Sequence, residues 1–178
     1  MLPTTVKHRY TGEQITFVER TKDYTIIEVT LPANGDGPPL HKHDRYEENF
    51  EVISGQLTVT VNKKTTILKP GDAALVRLKQ AHRFTNAHQE PVTFRVTLTP
   101  RCDFETSVRI HYGLMDDNLT DDKGNPKNFT HLAIILYFQN TWIAGIPISI
   151  QRFIAKRILA KAEKNGTLKE LEKYYIEA

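Results

Sequence analysis

Cysteine is nearly missing from this chain. Cys102 stands alone among 178 residues, which excludes an intrachain disulfide and fits a reducing compartment. Nothing around it supplies an activating partner, so a nucleophilic role has little support. Charge of one sign is also scarce: 24 basic against 21 acidic residues leave +3, too small an excess to argue for nucleic acid as a partner. The opening stretch MLPTTVKHRYTGEQ contains no apolar run of the secretory type, so a cytoplasmic location is expected. There is no internal repeat and no low-complexity tract. Apolar residues make up 39% and charged residues 25%, ordinary for a globular chain that can bury a core in one domain with an appendage.

What is present changes texture along the chain. From about Gln14 to Thr99, short segments alternate apolar and polar residues, as half-buried strands do. ITFVE places Ile15 and Phe17 on one side, and TIIEVTL does so with Ile27, Val29 and Leu31. QLTVTV repeats the pattern with Leu57, Val59 and Val61, and PVTFRVTLT with Val92, Phe94, Val96 and Leu98. Turn residues separate them: Asn34-Gly35-Asp36-Gly37-Pro38-Pro39, Ser54-Gly55, Pro70-Gly71-Asp72 and Glu90-Pro91. Many short strands at this spacing predict a mainly β, antiparallel fold of sandwich or barrel type.

Beyond residue 100 the period becomes helical. Phe104, Val108, Tyr112 and Met115 recur at helix spacing, and the polar loop DDNLTDDKGNPKN follows. Residues 132–151 carry no charge over a length comparable to a membrane span. Gln139 and Asn140 near its middle and Pro147 near its end argue instead for two helices joined by a bend, at about 131–139 and 147–165. Gly166 suits the position just past the second helix, and TLKE from Thr167 reads as a capping box opening a last short one. The expected division is therefore a β unit over residues 1–100 and a mostly helical extension over 101–178.

Chemistry concentrates in LHKHDRYEENFE, from Leu40 to Glu51. His41 and His43 lie two residues apart and point to one face of a strand. Glu48 shares a face with Phe50 and Val52, whereas Glu47 has the opposite parity and points outward. The five-residue step from His43 to Glu48 requires a turn or bulge at Asp44-Arg45-Tyr46. Further on, AHRFTN puts His82, Phe84 and Asn86 on one face. Three imidazoles and a carboxylate converging inside a barrel make a complete site for a first-row transition metal. His8, His88, His111 and His131 lack partner spacing and read as ordinary polar residues.

The order Gly35, five residues, His41, one, His43, four, Glu48, six, Gly55 resembles the first motif of the cupin superfamily. GDAALVRLKQAHRFTN resembles its second motif, with ten residues between Gly71 and His82 and Asn86 four after it. Arg77 and Lys79 depart from that pattern, standing where proline and glycine are usual in the turn before the third histidine. The resemblance spans roughly residues 35–99. It implies a jelly-roll barrel, a metal held by His41, His43, Glu48 and His82, and a homodimer. Glu48 would be both ligand and general base. Tyr46, Phe50, Arg77, Gln80, Phe84 and Asn86 are candidates to line the cavity, with solvation or strand shaping as the competing reading for several of them. The donor set suits Zn, Ni, Fe, Mn or Cu and does not choose among them.

Two functions remain open at this level. One is a metal-dependent enzyme acting on a small oxygen-rich molecule, by oxidoreductase (dioxygenase-like), isomerase or lyase chemistry. The other is a non-catalytic module that binds a small-molecule ligand. The segment from residue 132 to 165 adds a further question, because a basic amphipathic helix either packs on the barrel or a partner, or lies on an anionic membrane surface. Packing is the expectation.

Overall fold

A computed structural model of the protein describes residues 4–176. The ends of the two expected regions, residues 1–3 and 177–178, lie outside the described residues. Ten strands come first: β1 (Thr5–Lys7), β2 (Gln14–Arg20), β3 (Thr25–Leu31), β4 (His41–Lys42), β5 (Glu47–Ser54), β6 (Leu57–Val61), β7 (Lys64–Leu68), β8 (Ala73–Val76), β9 (His82–Thr85) and β10 (Val92–Thr99). Helices α1 (Phe104–Asp116) and α2 (Phe129–Phe138) follow. A two-residue strand, β11 (Trp142–Ile143), precedes α3 (Ile148–Lys164) and α4 (Thr167–Leu171).

The strands form two antiparallel sheets, ordered β1-β2-β3-β10-β5-β8 and β11-β4-β9-β6-β7. The sheets remain two separate ladders, so the jelly roll is a sandwich rather than a closed barrel. The alternation read from the sequence is what fills it. Leu31, Phe50, Leu57, Val92, Phe94 and Leu98 have no exposed surface, while the residues between them face outward. Burying each such side chain contributes roughly 1.5–3 kcal/mol, which makes this inter-sheet layer the main source of stability.

Turn chemistry sets the register. β6 and β7 are joined by Asn62 and Lys63, both with positive φ (47° and 73°), the two-residue turn whose twist matches a hairpin. Gly55 turns β5 into β6 with φ 77°, and a Cβ there would stand 2.4 Å from the carbonyl oxygen of Pro91. No other residue fits that position without moving the backbone.

α1 couples the sandwich to the rest. Val108, Tyr112 and Met115 join the inter-sheet core, and Ile110 and Leu114, on its other side, pack with Ile134, Ile135, Ala162 and Leu171 in a second core. Two expectations for this region need correction. The bend between the two later helices contains β11, which pairs with β4, Trp142 opposite Lys42 and Ile143 opposite His41. Thr167 does not cap α4: it is the first helical residue, Gly166 (φ 82°) holds the cap position, and the Thr167 hydroxyl donates to Asn165 Oδ1 at 2.8 Å. No helix among the described residues is long and apolar enough to cross a membrane.

Candidate metal centre

The four expected ligands come from both sheets. His41 on β4 and His82 on β9 are directly opposite each other in one sheet, and Glu48 sits on β5 in the other. His43 follows β4, just before the bend at Asp44 and Arg45 that reverses the chain's facing. One donor atom from each residue lies within 4.8 Å of those of the other three. All four residues are buried, between 0% and 6% exposed. Glu47 is not part of the group.

The hydrogen bonds around the imidazoles decide which nitrogens face inward. His41 Nδ1 donates to the Pro39 carbonyl at 2.8 Å, His43 Nδ1 to the Asn140 carbonyl at 2.9 Å, and His82 Nδ1 to the Gln80 carbonyl at 3.1 Å. A carbonyl only accepts, so each Nδ1 carries the proton and each Nε2 of a neutral ring presents a lone pair. The Nε2 atoms of His41 and His43 stand 3.0 Å apart, lone pair against lone pair. Glu48 Oε2 and His82 Nε2 approach to 2.7 Å, yet both are buried without the alignment of a hydrogen bond. Such a geometry is satisfied by a cation at the shared focus, and the residues fit a transition metal.

Electrostatics agree. Burial pulls His41 down to about 3, with His43 and His82 adding to the effect, and burial likewise lowers His43. Burial also opposes the charged form of His82, but the adjacent Glu48 carboxylate outweighs it and the net shift is upward. Burial alone would raise Glu48; the histidines, His43 foremost, reverse that and hold it at about 2. The cluster is therefore a fixed anion with two neutral imidazoles and a third that attracts positive charge. A proton at that position answers the same demand that a metal ion would.

The supporting residues come largely from the C-terminal part of the chain. Asn140, with φ 52°, fixes His43 through its carbonyl, and its Oδ1 accepts from the backbone N–H groups of Asp44 (2.8 Å) and Arg45 (2.9 Å). Its Nδ2 donates to Asp44 Oδ1 at 2.9 Å, which also accepts from Trp142 Nε1 at 3.0 Å. Arg152 of α3 pairs with the other Asp44 oxygen. Tyr46 is buried, stacks on His43 with ring centroids 4.3 Å apart, and donates to the Gln139 carbonyl at 2.8 Å. Sequence reasoning missed Asn140, Trp142, Arg152 and the clamping role of Asp44. The signal that was available is the polar pair Gln139-Asn140 inside an otherwise uncharged, apolar run.

The remaining cavity candidates occupy different places. Phe50 lies beside the histidine cluster, 6.4 Å from the His82 ring, and packs with Phe84 and Phe94 in the core. Asn86 is spent on its own loop, donating to the carbonyls of Pro32 and Glu90 and accepting from His88 N–H. Arg77 is exposed, and its backbone N–H is bound by Gln80 Oε1 at 2.8 Å, so Gln80 shapes the turn with its side chain and orients His82 with its carbonyl. Lys79, standing where glycine was expected, does adopt the left-handed conformation (φ 65°), and its N–H donates to the His43 carbonyl at 2.6 Å. The turn thus keeps its shape despite the two unusual residues. Among the other histidines, His8 is buried and brought to about 4, by burial first and then by His111. Cys102 is pushed up to about 12 by burial and stays a thiol.

Residues 27–98 match the family described as Cupin domain. The chain carries a cupin domain. Within known proteins, a segment is 43% identical over 49 residues to the oxidoreductase OpS7 of Beauveria bassiana, covering 27% of this chain and 16% of that protein. A second match, to an oxidoreductase of Arthrobotrys oligospora, is 44% identical over 55 residues and covers 28% of this chain and 22% of that one. The matched segment is thus under a quarter of either curated relative's length. Similar solved structures include KdgF from Halomonas sp., at 22% identity and TM-score 0.49, covering 53% of this chain and 84% of that one. An RmlC-like cupin from Shewanella frigidimarina aligns at 17% identity and TM-score 0.48, covering 53% and 82%. In this cupin domain both ligand motifs lie inside the matched residues, whereas the clamp at Asn140, Trp142 and Arg152 lies outside them.

Proposed function

We propose that the cupin domain binds one divalent transition metal through His41, His43, Glu48 and His82 and is a metal-dependent enzyme acting on a small, oxygen-rich molecule. The observation that carries this reading is the convergence of three Nε2 lone pairs and one carboxylate on a single buried focus, with every Nδ1 already used by a backbone carbonyl. Bound there, the ion supplies Lewis acidity or redox chemistry toward substrate oxygens. Oxidoreductase chemistry is favoured over isomerisation by the names of the two curated relatives, though these share only a short segment. Glu48 is ionised at neutral pH, a permanent anionic ligand and a weak proton acceptor. The Tyr46 hydroxyl, 3.3 Å from His43 Nε2, is kept protonated by burial and holds the ring plane of His43.

One feature favours a second reading, a non-catalytic metal or ligand module. Four protein donors that are all nearly inaccessible resemble a closed structural site more than one with an open position. Elemental analysis of protein purified without metal-chelating resin, followed by turnover assays on sugars, oxo acids and phenolics, separates the two. A bound stoichiometric metal with turnover supports the enzyme; a bound metal with no turnover across the panel leaves the binding module. His41→Ala and His82→Ala are each expected to lose stoichiometric metal, and full retention by both would overturn the site itself.

A further inference from the structure

Helix α3 buries an unexpected side. Its inward residues are small, Ala155 and Ala162, with Leu159 half-buried beside them, while Ile150, Phe153 and Ile154 are 52%, 60% and 47% exposed. Small residues let the helix lie close against α2, and the large apolar ones are left on the outside. At 100° per residue, Arg157, Lys161 and Lys164 continue that same outer face toward the C-terminal end. The apolar part extends the other way through Ile146 and Ile143, 49% and 44% exposed.

Charge is as uneven as hydrophobicity. α3 carries five basic residues, Arg152, Lys156, Arg157, Lys161 and Lys164, against Glu163 alone. Subtracting them from the chain's 24 basic and 21 acidic residues leaves nineteen against twenty, so the whole positive excess resides on this helix. In an α3-to-α3 contact a second copy offers these cations no anion but Glu163, because its α3 presents the same apolar and basic segments. The helix is neither long nor apolar enough to span a bilayer. An exposed face that is apolar at one end and cationic at the other fits a surface offering both acyl chains and phosphates.

We propose that the outer face of α3, with Ile143 and Ile146, docks the protein on an anionic lipid surface. Ile150, Phe153 and Ile154 enter the headgroup boundary, and Arg157, Lys161 and Lys164 contact lipid phosphates. Gln151 ties this helix to β11 through Ile143, and β11 pairs with His41, so docking holds the edge of the sandwich with the proposed metal site beside the lipid.

The test is co-sedimentation of the full chain with phosphatidylcholine vesicles, with and without about 30% phosphatidylglycerol to give a strongly anionic surface. Binding to the anionic vesicles should exceed binding to the neutral ones by at least about tenfold and should weaken in high salt. Two double variants, Ile150→Ser with Phe153→Ser and Lys161→Glu with Lys164→Glu, alter only exposed side chains. Each should lose at least about tenfold in partitioning, with unchanged circular dichroism. Absence of binding to anionic vesicles overturns the proposal. So does loss in the charge variant alone, which would mean non-specific cation binding. A change in oligomeric state in the serine variant, without vesicle binding by the parent, would assign the face to a second copy or an acidic protein instead.

Discussion

At the scale of single residues, burial and pairing set which groups hold protons, and Glu13 gives a clear case. It accepts a hydrogen bond from the Tyr112 hydroxyl at 3.0 Å, and burial raises its pKa from 4.5 to about 7. A folded-state pKa above the unfolded one means that its stabilising contribution is complete below pH about 4.5 and is lost as pH rises through about 7. His8 and His41, lowered to about 4 and about 3, have the opposite slope, since folding keeps them neutral while the unfolded rings still bind protons. The parent's own pH curve therefore mixes the two. The difference between the parent and Glu13→Gln isolates the first, because glutamine retains the acceptor for Tyr112 without the charge. Urea unfolding should show the variant gaining roughly 1–3 kcal/mol relative to the parent between pH 5 and pH 8. A constant difference across that range would refute the assignment.

At the scale of elements, short connections carry much of the specificity. The hairpin turn between β6 and β7 places Lys63 at φ 73°, a conformation that favours glycine. Lys63→Gly should raise stability by about 0.5–1 kcal/mol, read as a shift in the urea midpoint at constant slope. The link between α2 and α3 matters more to the site. Asn140 joins three parts of the cluster's support: the His43 ring, the Asp44-Arg45 bend and β11. Asn140→Ala keeps the carbonyl but frees its position and leaves two backbone N–H groups without their acceptor. Metal affinity should fall roughly 10- to 100-fold in a chelator competition titration, with about 2 kcal/mol of stability lost. Unaltered affinity would show that the clamp is dispensable to the metal centre.

For the whole molecule, an ion at the candidate site would cross-link the two sheets, because His41 and His82 belong to one and Glu48 to the other. An ion held there binds the folded state alone. At about 100 times its dissociation constant it should add roughly 2.7 kcal/mol, or roughly 5–10 °C in melting temperature for a chain of this size. Thermal melts before and after EDTA treatment measure this directly, and His82→Ala should show no EDTA effect. The helical layer acts at the same scale. α1 shares residues with both cores, so the sandwich and the C-terminal helices should unfold as one transition rather than two.

Much of the sandwich could be read from local pattern. Strands β2, β3, β6 and β10 declare themselves by alternation, since a period of two is a property of neighbouring residues. The same parity separates Glu48 from Glu47, and the short step between His41 and His43 places both rings on one side. His82 had its facing from the parity of AHRFTN, and the spacing of a second motif supported its place beside His41, because their pairing joins residues 41 apart. The clamp had no comparable signal. β11 is two residues long, too short for any period, and Asn140 meets Asp44 across 96 positions. An apolar helix pattern likewise cannot say which side faces inward; the crowding of α3 against α2 chose its alanines and left isoleucine and phenylalanine outside. The chain by itself determined the strands and the candidate ligands, whose geometry is local or nearly so. Tertiary structure alone decided what holds those ligands in place and which face of α3 is free, because both depend on contacts between distant segments.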